Sequence, residues 1–355
     1  MTRQAEAEPA LAERKGNRVA ICIIARNEAD TIGGLIDQLA GQSLVSVDGV
    51  SRILVVSNGS SDATAAKASA ALSRGFADGG PIWSVHDTPI GGKARSWNLA
   101  VHELLDGDLD IAIFLDADIE LAGEHVLAEL VDRLAGDPVL LAVSGFPLKN
   151  IARKAHKTLI DRFSLRISSQ TPAPHAINGS LYAARMSELR KIWLPVPTPG
   201  EDGALSAMIH TGGFTHPPRF ETIARMPHPT HYFEAHSIAG FFAHERRMTL
   251  GTTINGWIFE HLWAGEHRDH VGERIRSWNE DEPDWIDRII AREVAGKWWA
   301  LPPRMLSWRL HNLKGVGWRK ALARAPFSLV ATFLNLGPCI AANRLIKRRG
   351  AASHW

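Results

Sequence analysis

Cysteine is almost missing from this chain: Cys22 and Cys339 are the two present, each inside an apolar run and far apart in sequence. That excludes a disulfide-stapled scaffold and a cysteine-built zinc site, and it fits a reducing compartment. Acidic residues are missing from the last 62 positions, where eleven Lys or Arg lie between Lys297 and Arg349 without one Asp or Glu. The 293 residues before them carry 29 basic and 38 acidic side chains, a net charge of −9, so the near-neutral total of +2 hides an acidic body with a basic tail. The first seventeen residues lack the apolar core of a secretory signal, which predicts a mobile tail on a cytoplasmic protein. What remains is the composition of a folded protein, 45% hydrophobic over 355 residues, with room for one large α/β domain and an appendage.

The most informative stretch is Ile111-Ala112-Ile113-Phe114-Leu115-Asp116-Ala117-Asp118. Five apolar residues running into two carboxylates is the pattern of a buried strand that ends at a polar edge. Asp116 and Asp118, one residue apart, leave the same face of an extended chain. Two like charges so close call for a cation, and a hard divalent ion such as Mg²⁺ or Mn²⁺ takes such ligands and fills its shell with water and substrate phosphates. A nucleotide diphosphate is the ligand that this chemistry suggests.

The same grammar of apolar run, polar loop and amphipathic helix repeats along the chain. Val19 to Ile24 leads into Ala25-Arg26-Asn27-Glu28 and a helix from Asp30 to Leu39, and Ile53 to Val56 leads into Ser57-Asn58-Gly59-Ser60-Ser61-Asp62 and an Ala-rich helix. A strand from Pro81 to His86 precedes Gly91-Gly92-Lys93 and a helix through Trp97 and Leu104. After a helix from His125 to Leu134 come further strands at Leu140 to Gly145 and near Asn178 to Arg185, then a helix opened by Pro199-Gly200-Glu201-Asp202. Strands alternating with helices of this length predict a mostly parallel sheet covered on both faces. Ligands of such sheets bind beyond the carboxyl ends of the strands, where all these polar clusters fall.

Taken in order, Ala25-Arg26-Asn27-Glu28, Ser57 to Asp62, Gly92-Lys93 with Asn98, Asp116-Ala117-Asp118, Asn178-Gly179-Ser180 and Glu201-Asp202 resemble the inverting glycosyltransferases of family 2. The resemblance spans roughly residues 18–251 and implies the GT-A fold. It implies that Ala25, Arg26, Glu28, Asn58 and Lys93 line the nucleoside pocket and that Asp116 faces ribose and metal. It implies that Asp118 ligates the Mg²⁺ or Mn²⁺ cofactor, and that Asp202 is the catalytic base with Glu201 beside it. The donor implied is a nucleotide-diphosphate sugar, with a UDP-sugar favoured. Two positions depart from the family pattern. Ser57-Asn58 stands where a carboxylate pair or Asp-Asn is usual, which loosens the uridine preference. His244-Glu245-Arg246-Arg247-Met248 stands where processive members carry Gln-x-x-Arg-Trp, so a processive polymerase is not expected. Arg247 keeps the basic position and suits a pyrophosphate. His228, His231 and His236 are read as surface or satisfied core residues.

Nine of the twelve tryptophans follow residue 250, and in the last stretch they alternate with Lys and Arg. Trp favours the headgroup level of a bilayer and basic residues favour anionic lipid. Residues 326–343 then carry no charge, about 27 Å if helical at 1.5 Å per residue, and an interfacial or shallow re-entrant segment is expected before a span or a buried helix. No nucleic-acid module accompanies the basic residues. The expected organisation is a tail over 1–17, the catalytic domain over 18–251, a Trp-rich basic helical extension over 252–324, and a membrane-associating helix with basic tail over 325–355. The reading is a membrane-associated inverting glycosyltransferase on the cytoplasmic face of the cell membrane, in envelope polysaccharide or glycolipid synthesis, with a glycan or lipid acceptor and no nucleic-acid partner. The alternatives are a degenerate membrane scaffold and a sugar-phosphate nucleotidyltransferase; the latter needs a Gly-rich loop that Ala25-Arg26-Asn27-Glu28 does not offer.

Overall fold

The computed structural model describes residues 18–47, 49–76, 80–105, 107–159, 161–162, 165, 174–235, 238–265, 269–311, 313 and 317–349. The expected tail over 1–17 and His236 lie outside them. The first half alternates as the sequence suggests: β1 (Val19–Ala25), α1 (Ile32–Ala40), β2 (Val50–Asn58), α2 (Thr64–Gly75), β3 (Ile82–Thr88), α3 (Lys93–Leu99, prolonged by a wider turn over Ala100–Leu104) and β4 (Ile111–Asp116). The second half adds β5 (Ile119–Leu121), α4 (Val126–Gly136), β6 (Ala142–Ser144), β7 (Pro147–Lys149), β8 (Leu181–Arg185), α5 (Glu201–Thr211), β9 (Ile223–Arg225) and β10 (His231–Phe233). Five further helices follow: α6 (Ile238–Ala264), α7 (Val271–Asp281), α8 (Trp285–Val294), α9 (Arg304–His311) and α10 (Trp318–Arg349).

A seven-stranded sheet runs β3-β2-β1-β4-β8-β6-β9. Its first four strands are parallel, and β8 is antiparallel to both β4 and β6. All seven residues of β1 are buried, as a parallel strand covered on both faces requires. Alternation sorts them: Ala20, Cys22 and Ile24 pack on one side with α3, α5 and α6, while Ile21, Ile23 and Ala25 pack on the other with α1, α2 and α4. Helix α1 meets the sheet with Ile32, Leu35, Ile36 and Leu39, the i, i+3, i+4, i+7 stripe of a half-buried helix. The register pairs Ile24 with Asp116, Ala25 with Ser57 and Asn58 with Thr88, so the four parallel strands end level at one edge. A small sheet, β5-β10-β7, stands beside that edge directly after Asp118.

Helices α8 and α10 pack on α6, and α9 packs on α10. Helix α6 runs unbroken through the 251/252 junction and α10 through 324/325, so both boundaries expected from composition fall inside helices. By length and composition, Trp318 to Arg348 could cross a membrane. One face of α10 is nevertheless bound to protein. Ser328, Ala331, Asn335, Cys339, Ala342, Asn343 and Ile346 are buried, Asn335 donates to the Met305 carbonyl at 3.1 Å, and Asn343 accepts from the Ala300 amide at 2.8 Å and donates to the Trp298 carbonyl at 3.1 Å. The opposite face exposes Leu322, Leu329, Phe333, Leu336 and Ile340.

Candidate active site

The loops at the carboxyl edge are tied to one another before they meet any ligand. Asn27, at φ +56°, takes the left-handed conformation that Asn tolerates. Its Oδ1 accepts from the Ser61 amide at 2.8 Å, while the Glu28 amide donates to Thr64 Oγ1 at 2.8 Å and the Ala29 amide to Asp62 Oδ2 at 3.2 Å. Arg26 is exposed and lies against Gly91, and Ala25 turns its methyl into the core under α1. Glu28 is half-buried and its carboxyl is raised by burial, with Asp118, Asp116 and Asp62 adding like-charge repulsion against a Thr31 hydrogen bond.

Asn58 is buried, and its Oδ1 accepts from the Gly92 amide at 2.7 Å and the Ser96 hydroxyl at 2.9 Å. The amide thus fixes the loop that opens α3. Gly59 makes this possible: it sits at φ +61°, and a Cβ there would come within 2.6 Å of the Gly91 nitrogen. Asn98, also buried, exchanges two hydrogen bonds with the Leu194 backbone, at 2.8 and 2.9 Å, and so holds the segment leading to α5.

Lys93 is the first residue of α3, and its ammonium is where the halves of the site meet. Nζ lies 2.6 Å from Asp116 Oδ1, 3.2 Å from Glu201 Oε1 and 3.3 Å from the Gly179 carbonyl. Burial pulls this lysine down, but Asp116, Glu201 and Asp202 outweigh it and hold it charged, well above the usual lysine range. Asp116, at the end of β4, is raised by burial and held back by Lys93. Asp202 follows Glu201 in the first turn of α5. Its carboxyl is pushed up to about 6, first by burial and then by Glu201, with Lys93 and the Gly203 amide working against the shift.

These groups surround a crevice lined by Ile24, Lys93, Asp116, Gly179, Glu201 and Asp202 over a floor of Trp97, Phe114 and Tyr182. The floor is rigid: Phe114 stacks on Tyr182 with centroids 5.1 Å apart, and Trp97 Nε1 donates to the Tyr182 hydroxyl at 2.8 Å. Gly179 lets the three groups close in, since a Cβ there would stand 3.3 Å from Asp202 Cβ, 3.4 Å from Glu201 Oε1 and 3.5 Å from Lys93 Nζ. Its neighbours are pinned too. The Ser180 carbonyl accepts from the Asp116 amide at 3.0 Å, and the Ser180 hydroxyl is 2.7 Å from Nε2 of the buried His231. Burial, then Arg225, hold His231 down at about 4, so it is neutral and structural. His228 pairs with Glu129 at the surface.

Asp118 is exposed in the turn after β4, beside the carboxylates that raise Glu28. Among the described residues, no group of three or more His, Cys, Asp or Glu forms a ready-made metal cage. Two carboxylates with an open outer shell are nonetheless a donor set that fits Mg²⁺ or Mn²⁺, ions that keep waters and bind substrate phosphates. Arg247 lies exposed on α6, outside the crevice lining. Sequence reasoning gave no role to Gly179 or to the aromatic floor, although Asn178-Gly179-Ser180 marked the place.

Comparison with curated protein sequences finds no match. Among solved structures, a mannosyltransferase from Pyrobaculum calidifontis in complex with GDP-Man and Mn²⁺ is similar over 94% of this chain and 88% of its own, at 19% identity and TM-score 0.54. Glucosyl-3-phosphoglycerate synthase from Mycobacterium tuberculosis, in complex with Mn²⁺, UDP-Glc and phosphoglyceric acid, is similar over 69% of this chain and 84% of its own, at 16% identity and TM-score 0.47. Residues 20–193 match the model of glycosyl transferase family 2. The strand order, the crevice at the carboxyl edge and that match agree: the chain has the GT-A fold, and its residues 20–193 form a glycosyltransferase domain of family 2.

Proposed function

We propose that this glycosyltransferase moves one sugar, with inversion, from a nucleotide-diphosphate sugar to an acceptor hydroxyl at a membrane surface. The observation that carries the reading is the convergence on Gly179 of Lys93 from α3, Asp116 from β4 and the Glu201-Asp202 pair from α5. Asp202 takes the proton of the acceptor hydroxyl as that oxygen attacks the anomeric carbon. The bond from the anomeric carbon to the diphosphate oxygen breaks, and the diphosphate leaves with the electron pair. One displacement inverts the centre. A carboxyl poised at about 6 is ionised at neutral pH and still basic enough to receive the proton. Lys93 places its positive charge between the Asp116 and Glu201 carboxylates beside the reacting centre, and the aromatic floor excludes water beneath it. Asp118 and Asp116 would hold a Mg²⁺ or Mn²⁺ ion, which when bound stabilises the charge on the diphosphate.

The membrane part of the reading rests on α10. At 100° per residue, Leu322, Leu329, Phe333, Leu336 and Ile340 fall within one face, and exposed Arg319 and Arg344 flank its ends. A helix bound to protein by its asparagines on one side and bare of polar groups on the other suits a position in the plane of the headgroups. An acceptor carried by a lipid or a membrane-bound glycan follows from that placement.

The test is calorimetric titration of the full chain with UDP and with GDP, with and without Mn²⁺, repeated on Asp118→Ala. Tight binding of one nucleotide that requires the ion and is lost in the variant is expected. Binding of neither nucleotide under any condition would sink the donor assignment.

A further inference from the structure

Helix α5, which carries Asp202, begins where glycines let another helix touch it directly. On α6, Gly251 and Asn255 lie one turn apart and press on the Pro199-Gly200 corner. A Cβ on Gly251 would stand 3.1 Å from the Pro199 carbonyl oxygen and 3.3 Å from Gly200 Cα. A Cβ on Gly200 would stand 2.9 Å from Asn255 Nδ2, and one on Gly203 would meet the same amide at 3.2 Å. The carboxamide of Asn255 is therefore applied to bare backbone on both sides of the base.

Its hydrogen bonds are specific. Asn255 Nδ2 donates to the Gly200 carbonyl at 2.6 Å, and Asn255 Oδ1 accepts from the Thr198 hydroxyl at 2.7 Å. Both side chains are buried, and the Gly200 carbonyl, which can only accept, decides that the NH2 end of the amide faces it, while the Thr198 hydroxyl holds the oxygen end in place. The Gly200 carbonyl also accepts the first bond of α5, from the Ala204 amide at 3.1 Å. On the far side of the turn, the Ser206 hydroxyl donates to the Asp202 carbonyl at 2.7 Å and accepts from the Ile177 amide at 3.0 Å. The first turn of α5 is thus gripped from two sides, and the grip from α6 is a single amide.

We propose that Asn255 is a positioning residue for sugar transfer: acting through the Gly200 carbonyl, it sets the direction from which the Asp202 carboxylate faces the crevice. The inference rests on the reading of Asp202 as the base. The Asp side chain is short and already engaged, with Oδ1 accepting from the Gly203 amide at 2.8 Å, so it cannot reach back if the helix start turns. A displacement of about 1 Å at a reacting group costs on the order of a hundredfold in rate.

The experiment uses the full chain with UDP-Glc and GDP-Man as probes, following release of nucleoside diphosphate, with amide exchange by mass spectrometry as the readout independent of turnover. In Asn255→Ala, kcat is expected to fall on the order of a hundredfold, with the KM of the nucleotide sugar within about twofold, since loss of a group acting only in the transition state leaves ground-state binding in place. The peptide covering residues 199–206 should exchange faster while β1 and β4 do not. Thr198→Val, which removes only the hydroxyl that holds Asn255 Oδ1, should move kcat the same way by less, and the double variant should be no worse than Asn255→Ala alone, because both act through one amide. If Asn255→Ala does not fold, Thr198→Val decides by the same readouts. A kcat within twofold of the parent in a folded variant, or a KM that rises as much as kcat falls, reduces Asn255 to packing and overturns the proposal. Should the parent turn over neither nucleotide sugar, it is the donor assignment that fails, and unchanged exchange at 199–206 in Asn255→Ala would still overturn the positioning role.

Discussion

The crevice at the sheet's carboxyl edge and the helical layer behind it solve opposite problems. At the crevice, Asp116, Glu201 and Asp202 crowd around one lysine, and burial and like charge raise Asp116 and Asp202. In the layer, the buried asparagines of α10 bond to the backbone of neighbouring segments and its apolar side chains share one outward face. The crevice crowds charges that chemistry can use, whereas the layer is hydrogen-bonded inward, with the Asn335 Oδ1 as a buried exception, and bare where a partner surface would lie. Changes in the first region should therefore hurt turnover more than stability, and changes in the second the reverse.

Asp202→Asn gives the largest effect. Asparagine keeps an acceptor for the Gly203 amide but cannot take a proton, so kcat should fall on the order of a thousandfold. Stability should move the other way. An Asp raised to about 6 in the folded chain binds more protons than it does unfolded, so folding is penalised as pH rises from the ordinary carboxylate range through about 6, and the penalty stays complete above that. The variant should melt higher than the parent at pH 8 and gain nothing at pH 4. Equal melting shifts at both values would mean that Asp202 is not held in a raised state. The same group gives the parent an acid limb: kcat/KM should climb through about pH 6 and level off above it.

Asp118→Ala ranks next. The side chain is exposed in the turn after β4, so its loss should leave the melting temperature unchanged. Nucleotide binding in the presence of Mn²⁺ should weaken by about a hundredfold, as expected for a lost carboxylate ligand, while binding without the ion stays the same. Weakening in both conditions would place the effect on the loop rather than on the ion.

Phe333→Asp carries the comparison to the other region. Phe333 is 73% exposed at the centre of the outward face of α10, so folding should not depend on it. Removing a large apolar contact and adding a negative charge should lower binding to phosphatidylglycerol vesicles by about tenfold or more. Release of nucleoside diphosphate in detergent-free buffer should stay within about twofold. Unchanged vesicle binding would reject this face as the one that meets lipid.

Much of the crevice was legible in the sequence because it lies at the ends of long apolar runs. The runs at Val19, Ile53 and Ile111 became β1, β2 and β4, and the residues just beyond them reached one edge because parallel strands end level. The small sheet was not legible. Three-residue strands carry no periodicity, and β5 pairs with a strand more than a hundred residues later. Asn58 shows a subtler gap: the family resemblance implied a place facing the nucleoside, whereas its oxygen accepts from Gly92 and Ser96. Side-chain type tells what bonds are possible, and only the path of the neighbouring loop tells which is made. The junctions at 251/252 and 324/325 marked real shifts of composition, but a helix continues through such a shift when its buried face does not change. In α6, Leu250 and Ile254 are buried on either side of the first junction.

The smallest effect on function is expected from Asn343, and it is the cleanest contrast with Asp202. Its carboxamide holds the Ala300 amide and the Trp298 carbonyl, joining α10 to the segment before α9. Asn343→Ala strands one donor and one acceptor in a buried place, a loss of about 1–3 kcal/mol per unsatisfied group. The urea midpoint should fall while kcat and the KM of the nucleotide sugar hold within about twofold. A substitution that destabilises without touching turnover, set beside one at Asp202 that stabilises at pH 8 and abolishes turnover, separates the two regions by sign rather than by size. If Asn343→Ala lowered kcat as strongly as it lowered stability, the helical layer would be part of the catalytic machinery, and the division between a charge-crowded crevice and a hydrogen-bonded layer would fail.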